Sequence, residues 1–282
     1  MSQKLQQLKV PTLEEFFQKT QKLTRPVLIS GLTSIWKTNQ WGIDYLIQKS
    51  GHHTIQVYIS NQKGEWISNP CYHEIKFGDF LKTLKDFSKK NENEEIYYAH
   101  YNLWKTLKEL HEDIVLPSFL KRIKEKKKGF YTGIWIGSQI KTQLHFDLTC
   151  NLNLQIWGQK EYLLYPPTNI KNYYPYKHYP LHTVSQISEP KKVDFQKYPN
   201  FNKQKPYCIQ LNPGDAVFMP AYWWHSMTSE KGPNLTLSFH WRRWPWENVF
   251  FPYYRHYVRE IARHRLLKGI KKITGTTMVP KS

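Results

Sequence analysis

The sequence predicts a mainly β domain, a sandwich or barrel, with helices at its flanks. Three observations carry that expectation. From residue 130 onward, short apolar runs recur with Gly, Pro and Asn between them. Helical periodicity is concentrated toward the two ends of the chain. The composition, 282 residues with 40% apolar and 22% charged, suits one large folded domain, or a domain with an appendage, rather than a disordered chain.

The first part reads as mainly helical with a strand or two. Thr12 is placed to cap a helix from Leu13, with Glu15 three residues on as in a capping box. Residues 26–32, PVLISGL, form a short apolar run that breaks at Gly31 and predict a buried strand. Residues 78–91 carry Phe80, Leu81, Leu84 and Phe87 at helical spacing, and a strand is expected at Ile96–Tyr101. The strand series follows: FYTGIWIG (130–137), TQLHFD (142–147), LNLQIWG (152–158), KEYLLYPP (160–167), YCIQL (207–211), DAVFMP (215–220) and NLTLSFHW (234–241). Residues 168–206, rich in Tyr, Pro, His and Lys, have little periodicity. They predict a long functional insertion, such as a substrate-binding flap. After Pro252 the residues Tyr254, Tyr257, Val258, Ile261 and Leu266 fall near helical spacing, in a stretch (241–282) with ten Lys or Arg and two Glu. The expected organisation is a domain over 1–245, with a basic helical segment over 246–282. That helix would pack on the barrel, form a dimer seam or touch an anionic partner.

Charge and cysteines bound the setting. Lys and Arg number 41 against 22 Asp and Glu, a net charge of +19 that favours polyanions, an acidic protein or an anionic co-substrate. The three cysteines, Cys71, Cys150 and Cys208, show no CxxC pair, so a reducing compartment is expected. The N-terminus shows no apolar signal core, and no apolar run is long enough to span a bilayer. A cytoplasmic protein without membrane contact is therefore expected. The 16% aromatic fraction suits a core built around a wet pocket.

The sharpest local feature is Gln143-Leu144-His145-Phe146-Asp147. On a strand, His145 and Asp147 would present an imidazole and a carboxylate on one face. Two His and one carboxylate are the facial set that holds iron(II) with positions left open. The tripeptide alone arises easily by chance. A second half lies about eighty residues on: Pro213-Gly214-Asp215 makes a turn, an apolar strand follows and ends at Pro220, and His225 stands near the start of the next strand. The aromatic residues Trp223 and Trp224, with Phe146, are expected to keep that site dry.

Together these segments resemble the JmjC-type, cupin-like 2-oxoglutarate oxygenases, from about Arg25 to Trp241. The order is HFD, Asn151, Gln155, Gly158, Lys160, Tyr165-Pro166-Pro167 and GDAVFMPAYWWH. The insertion looks nearest to the asparaginyl hydroxylase acting on hypoxia-inducible factor. The resemblance implies a double-stranded β-helix. It implies His145, Asp147 and His225 as iron(II) ligands, with 2-oxoglutarate and O2 as co-substrates. Lys160, Thr142 and Tyr97 would hold the distal carboxylate of 2-oxoglutarate, and Asn151 would lie near it. Lys160 independently suits that role, because a buried ammonium needs an anion. Ser238 and His240 stand where that hydroxylase has Asn and Trp, so the wall they form is expected to differ. The readings that follow are a dioxygenase hydroxylating a protein side chain, the same chemistry on RNA (a tRNA base), and a metal-binding cupin module without turnover. N-methyl-lysine demethylation ranks below these. A homodimer through the C-terminal helix is a further expectation.

Overall fold

The chain begins with a strand, β1 (Gln6–Leu8), and then α1 (Leu13–Lys19), whose cap Thr12 accepts a hydrogen bond from Glu15 N at 3.1 Å as the capping pattern predicts. Next come β2 (Val27–Ile29), α2 (Ile43–Ser50), β3 (Thr54–Ser60), β4 (Tyr72–Lys76), α3 (Phe77–Lys90), β5 (Glu95–His100), α4 (Leu103–Thr106) and α5 (Ser118–Lys126). The strand series is β6 (Tyr131–Ser138), β7 (His145–Phe146), β8 (Cys150–Trp157), β9 (Lys160–Tyr165), β10 (Tyr207–Leu211), β11 (Ala216–Met219), β12 (Trp224–Ser229) and β13 (Asn234–Trp241), with α6 (Pro252–Thr274) last. This computed structural model describes residues 4–33, 36, 40–60, 71–90, 95–100, 102–127, 129–243 and 251–274. Asn91, Tyr101 and the expected boundary at 245/246 lie outside the described residues.

Two sheets form the body. One has nine strands in the order β1-β2-β11-β8-β13-β6-β5-β3-β4, and the other has four in the order β10-β9-β12-β7. Every pairing is antiparallel except β1 with β2. Chain-distant strands lie side by side, as a double-stranded β-helix requires, so the mainly β expectation holds.

Strand β13 shows how the sequence divides the two faces. Leu235, Leu237, Phe239 and Trp241 join the larger core, which also takes Phe16 of α1, Leu84 of α3 and Phe119 of α5. Thr236, Ser238 and His240 alternate with them and point the other way, toward the space between the sheets. Each large apolar side chain buried on the helix side contributes roughly 1.5–3 kcal/mol. Phe16 lies 4.9 Å from the Phe119 ring and 5.1 Å from Phe218, which fixes α1 against the sheet.

Three differences from expectation matter. First, the strand predicted over 142–147 is only two residues long. Lys141 bridges Thr228 while His145 pairs with His225, so four steps on one strand oppose three on the other, a one-residue bulge. Asp147 therefore stands just past the strand end, not on a continuous strand face. Second, β3 and β4 had no counterpart in the expected strand list, and α2 and α5 were not anticipated. Third, the C-terminal helix exists, but Val258 is 46% and Leu266 65% exposed, whereas Tyr253 and Glu260 are buried. Tyr253 accepts a hydrogen bond from Trp224 Nε1 at 3.0 Å, and Tyr257 stacks on His182 at 5.3 Å. The helix thus packs on the small sheet and on the insertion.

The insertion contains 3-10 turns at Ile170–Tyr173, Leu181–Thr183 and Pro199–Lys203, with isolated β-bridges in place of strands. It is strapped across the β7 edge. Val184 bridges His145, Ser185 N donates to Leu144 O at 2.7 Å, Lys141 pairs with Glu189 at 2.6 Å, and Lys191 pairs with Glu161.

Candidate active site

The pocket between the sheets holds about 510 Å³, counted out to its open mouth. His145 reaches it from β7, His225 from β12 and Asp147 from the bend after β7. One donor atom of each lies within 4.8 Å of the other two. The two imidazole rings stand 4.2 Å apart at 54°, and His225 Nε2 is 3.8 Å from Asp147 Oδ2.

The local backbone fixes the chemistry of both imidazoles. His145 Nδ1 lies 2.7 Å from Gln143 O, and His225 Nδ1 lies 3.0 Å from Trp223 O. A carbonyl accepts only, so each Nδ1 carries the proton and each Nε2 keeps its lone pair for a cation. Burial, with His145 beside it, pushes His225 down to about 4, so its imidazole is neutral near pH 7. For Asp147, burial works against the charge. His225, His145, His240 and the amide of Asn151 outweigh it and hold the carboxyl below its usual range. Asn151 Nδ2 donates to Asp147 Oδ2 at 2.8 Å, and Asn153 Nδ2 donates to Asn151 Oδ1 at 3.1 Å. Tyr222 N donates to Asp147 O at 2.8 Å from a residue with φ +71°, a costly backbone conformation next to the candidate ligands.

Lys160 opens β9 at the inner end of the same pocket, 2% exposed. No described carboxylate pairs with it, and burial pushes its ammonium down to about 7. Thr142 Oγ1 accepts from Met227 N at 2.9 Å, which leaves its O–H to donate into the pocket. Tyr97 lines the same space, stacked on Trp135 at 6.1 Å. All seven expected residues therefore converge. Asn151 lines the pocket and is also the partner of Asp147.

The fit to the implied groups rests on two observations. Two imidazole Nε2 atoms and one carboxylate converge, the donor set that suits iron(II). The buried, unpaired ammonium of Lys160 with the Thr142 hydroxyl beside the pocket suits a dicarboxylate whose far end reaches inward.

The expected dry wall is corrected. Phe146 and Trp224 lie behind the candidate ligands, 4.9 Å apart and packed on Tyr253, and Trp223 Nε1 donates to Thr24 O. The pocket is instead lined by Trp135, Tyr162, Met219 and Met227, which sequence reasoning missed. A signal existed for two of them, because Tyr162 and Met227 lie two residues beyond Lys160 and His225 on the same strands. His240 does face the pocket. It stacks on Tyr131 at 4.6 Å, and its ring nitrogens lie 3.2 Å from Thr149 Oγ1 and 3.0 Å from Ser238 Oγ. Burial pushes it down to about 4. Ser238 Oγ also accepts from Trp135 Nε1 at 2.6 Å, so the wall is a connected polar network.

The chain is 31% identical over 243 residues to Jumonji C domain-containing protein 5 of Drosophila melanogaster, covering 83% of this chain and 59% of that protein. It is 28% identical over 253 residues to tRNA wybutosine-synthesizing protein 5 of Gallus gallus, covering 84% and 76%. It is 28% identical over 240 residues to Lysine-specific demethylase 8 of Danio rerio, covering 82% and 56%. The chain thus spans little more than half the length of two of these three relatives. None of the three is the asparaginyl hydroxylase, so they support the JmjC part of the resemblance and not its finer likeness. The profile of the Cupin-like domain matches residues 13–245, and with these relatives it shows that the chain belongs to the cupin-like family, in its JmjC-type group.

Proposed function

We propose that this protein is an iron(II)- and 2-oxoglutarate-dependent dioxygenase that hydroxylates a protein side chain. The observation that carries the reading is the pairing of the His145, Asp147 and His225 cluster with the buried, unpaired Lys160 in one pocket. When bound, iron(II) supplies the activation of dioxygen, coupled to oxidation of 2-oxoglutarate to succinate and carbon dioxide. The chain supplies the rest. Asp147, oriented by Asn151, and the two imidazoles, oriented by their own backbone, hold the metal. Lys160 and Thr142 hold the far carboxylate of the co-substrate, and Trp135, Tyr162, Met219 and Met227 limit water around it. The protein-side-chain substrate is supported by likeness to a relative named for lysine.

A second reading, hydroxylation of an RNA base, is favoured by the net charge of +19 and by two-way coverage of a relative named for tRNA. The deciding assay measures succinate formed from 2-oxoglutarate with iron(II) and ascorbate, for wild type, His145→Ala and Asp147→Ala. Turnover in wild type alone is expected. Equal turnover in all three would sink the proposal. Adding tRNA or a peptide pool then separates the substrates. RNA-stimulated turnover that weakens steeply with salt would favour the second reading.

A further inference from the structure

We propose that His52, His53 and Glu109 form a second metal site, separate from the pocket, that takes a borderline divalent cation such as zinc(II). The two histidines close the turn between α2 and β3. Glu109 lies in the 3-10 helix Lys108–Asp113, 56 residues beyond His53. One donor atom of each lies within 4.8 Å of the other two, the same criterion that the pocket cluster meets. The His52 and His53 rings stand 4.1 Å apart at 36°, close to the 4.2 Å between His145 and His225. Two elements distant in sequence thus present two imidazoles and a carboxylate to one point.

Chemistry selects the ion. Zinc bonds of roughly 2.0–2.2 Å in tetrahedral geometry hold two donors about 3.4 Å apart, a separation that a cluster of this span can adopt. His53 Nε2 and Glu109 Oε2 are now 2.8 Å apart, sharing a proton that the cation would replace. His52 is exposed and can adjust, while His53 and Glu109 side chains are 24% and 28% exposed. The solvent side leaves a fourth position to water. Ser50 Oγ donates to Glu109 Oε2 at 3.4 Å and steadies the carboxylate. Two nitrogen donors disfavour calcium and magnesium, which take oxygen. The site would tie the α2–β3 turn to the 3-10 helix. Asp113 of that helix already accepts from Trp41 at 2.9 Å and from Lys49 at 2.7 Å. A bound ion would reinforce the hydrogen bonds already at that junction.

The test uses the untagged full chain carrying His145→Ala and Asp147→Ala, which silences the pocket cluster. Cobalt(II) is titrated and its visible absorption recorded, because tetrahedral nitrogen–oxygen coordination gives bands that solvated cobalt does not. Zinc competition follows by calorimetry. One cobalt per chain is expected, displaced by zinc. Affinity should fall at least tenfold when His52→Ala, His53→Ala or Glu109→Gln is added. His52 is exposed, so its removal leaves the fold intact and keeps the test valid if His53→Ala perturbs folding. Absence of cobalt bands in the background chain, or binding unchanged by His52→Ala and Glu109→Gln, would overturn the site.

Discussion

Replacing Lys160 with methionine should weaken co-substrate binding and, at the same time, stabilise the ligand-free protein. Lys160 is 2% exposed without a described carboxylate partner, and its ammonium is pushed from 10.5 down to about 7. That difference corresponds to an upper bound of about 5 kcal/mol of burial penalty. Local relaxation and entry of water reduce it, and a gain of about 1–3 kcal/mol on Lys160→Met is expected near pH 7. The sign follows from proton counting. The folded value lies below the unfolded one, so between pH 7 and 10.5 the unfolded chain binds more protons and ligand-free stability rises with pH. Lys160→Met should flatten that rise. Binding goes the other way: loss of a buried, charge-paired partner costs roughly 2–5 kcal/mol, or about 30- to 5,000-fold in affinity for 2-oxoglutarate. Because the ligand restores the proton, wild type should take up about 0.9 proton per site at pH 8. Calorimetry with manganese(II), without oxygen, in two buffers of different ionisation enthalpy measures both quantities. An affinity within roughly threefold of wild type, or no proton uptake, would refute the assignment of Lys160.

Other substitutions probe the remaining parts of the site. Asn151→Ala removes the amide that orients Asp147 and should lower metal affinity roughly 10- to 100-fold, read by manganese(II) titration. Unchanged affinity would show that Asp147 needs no such partner. In the metal-free protein, His225 and His240 are each held at about 4 against an ordinary 6.5. The native state therefore binds fewer protons between those values. Stability is lost as pH falls from 6.5 toward 4, by up to about 1.4 kcal/mol per pH unit for each histidine. Urea melts at a series of pH values check this, and His240→Leu should lower the slope by up to one histidine's share, about 1.4 kcal/mol per pH unit. Gly158 has φ +63°, and an added Cβ would meet Pro233 O at 2.8 Å. Gly158→Ala should cost about 2 kcal/mol or more in a denaturant melt, and a neutral result would contradict the tight turn.

How much was legible in the sequence follows from where each constraint is stored. Candidate ligands His145, Asp147 and His225 sit beside short-range signals, a tripeptide and a Pro-Gly-Asp turn, so they could be found without contacts. The strands of the barrel were legible as short apolar runs set between Gly, Pro and Asn, β13 among them. Strand β4 was not, because four of its five residues, Tyr72, His73, Glu74 and Lys76, are exposed and it buries no continuous face. The helix α6 was legible as a helix, and its packed face only in part: Tyr254 and Tyr257 of the expected set make contacts, Val258 and Leu266 are exposed, and Tyr253 and the buried Glu260 lie outside that set. The bulge before β7 and the stacking of Tyr131 on His240 depend on cross-strand register, which no local pattern records.

The two histidines of the pocket and the aspartate differ in what a mutation can reach. Each imidazole is anchored to a carbonyl two residues earlier in its own main chain, at Gln143 and Trp223. Any amino acid at those positions still offers that carbonyl, so the tautomers should survive drift of the neighbouring side chains. Asp147 depends on the Asn151 side chain, which one codon change can delete. Variation around the pocket can therefore retune its walls freely while the imidazole pair persists. Erosion of the candidate metal-binding set in divergent descendants should begin at Asp147 and Asn151.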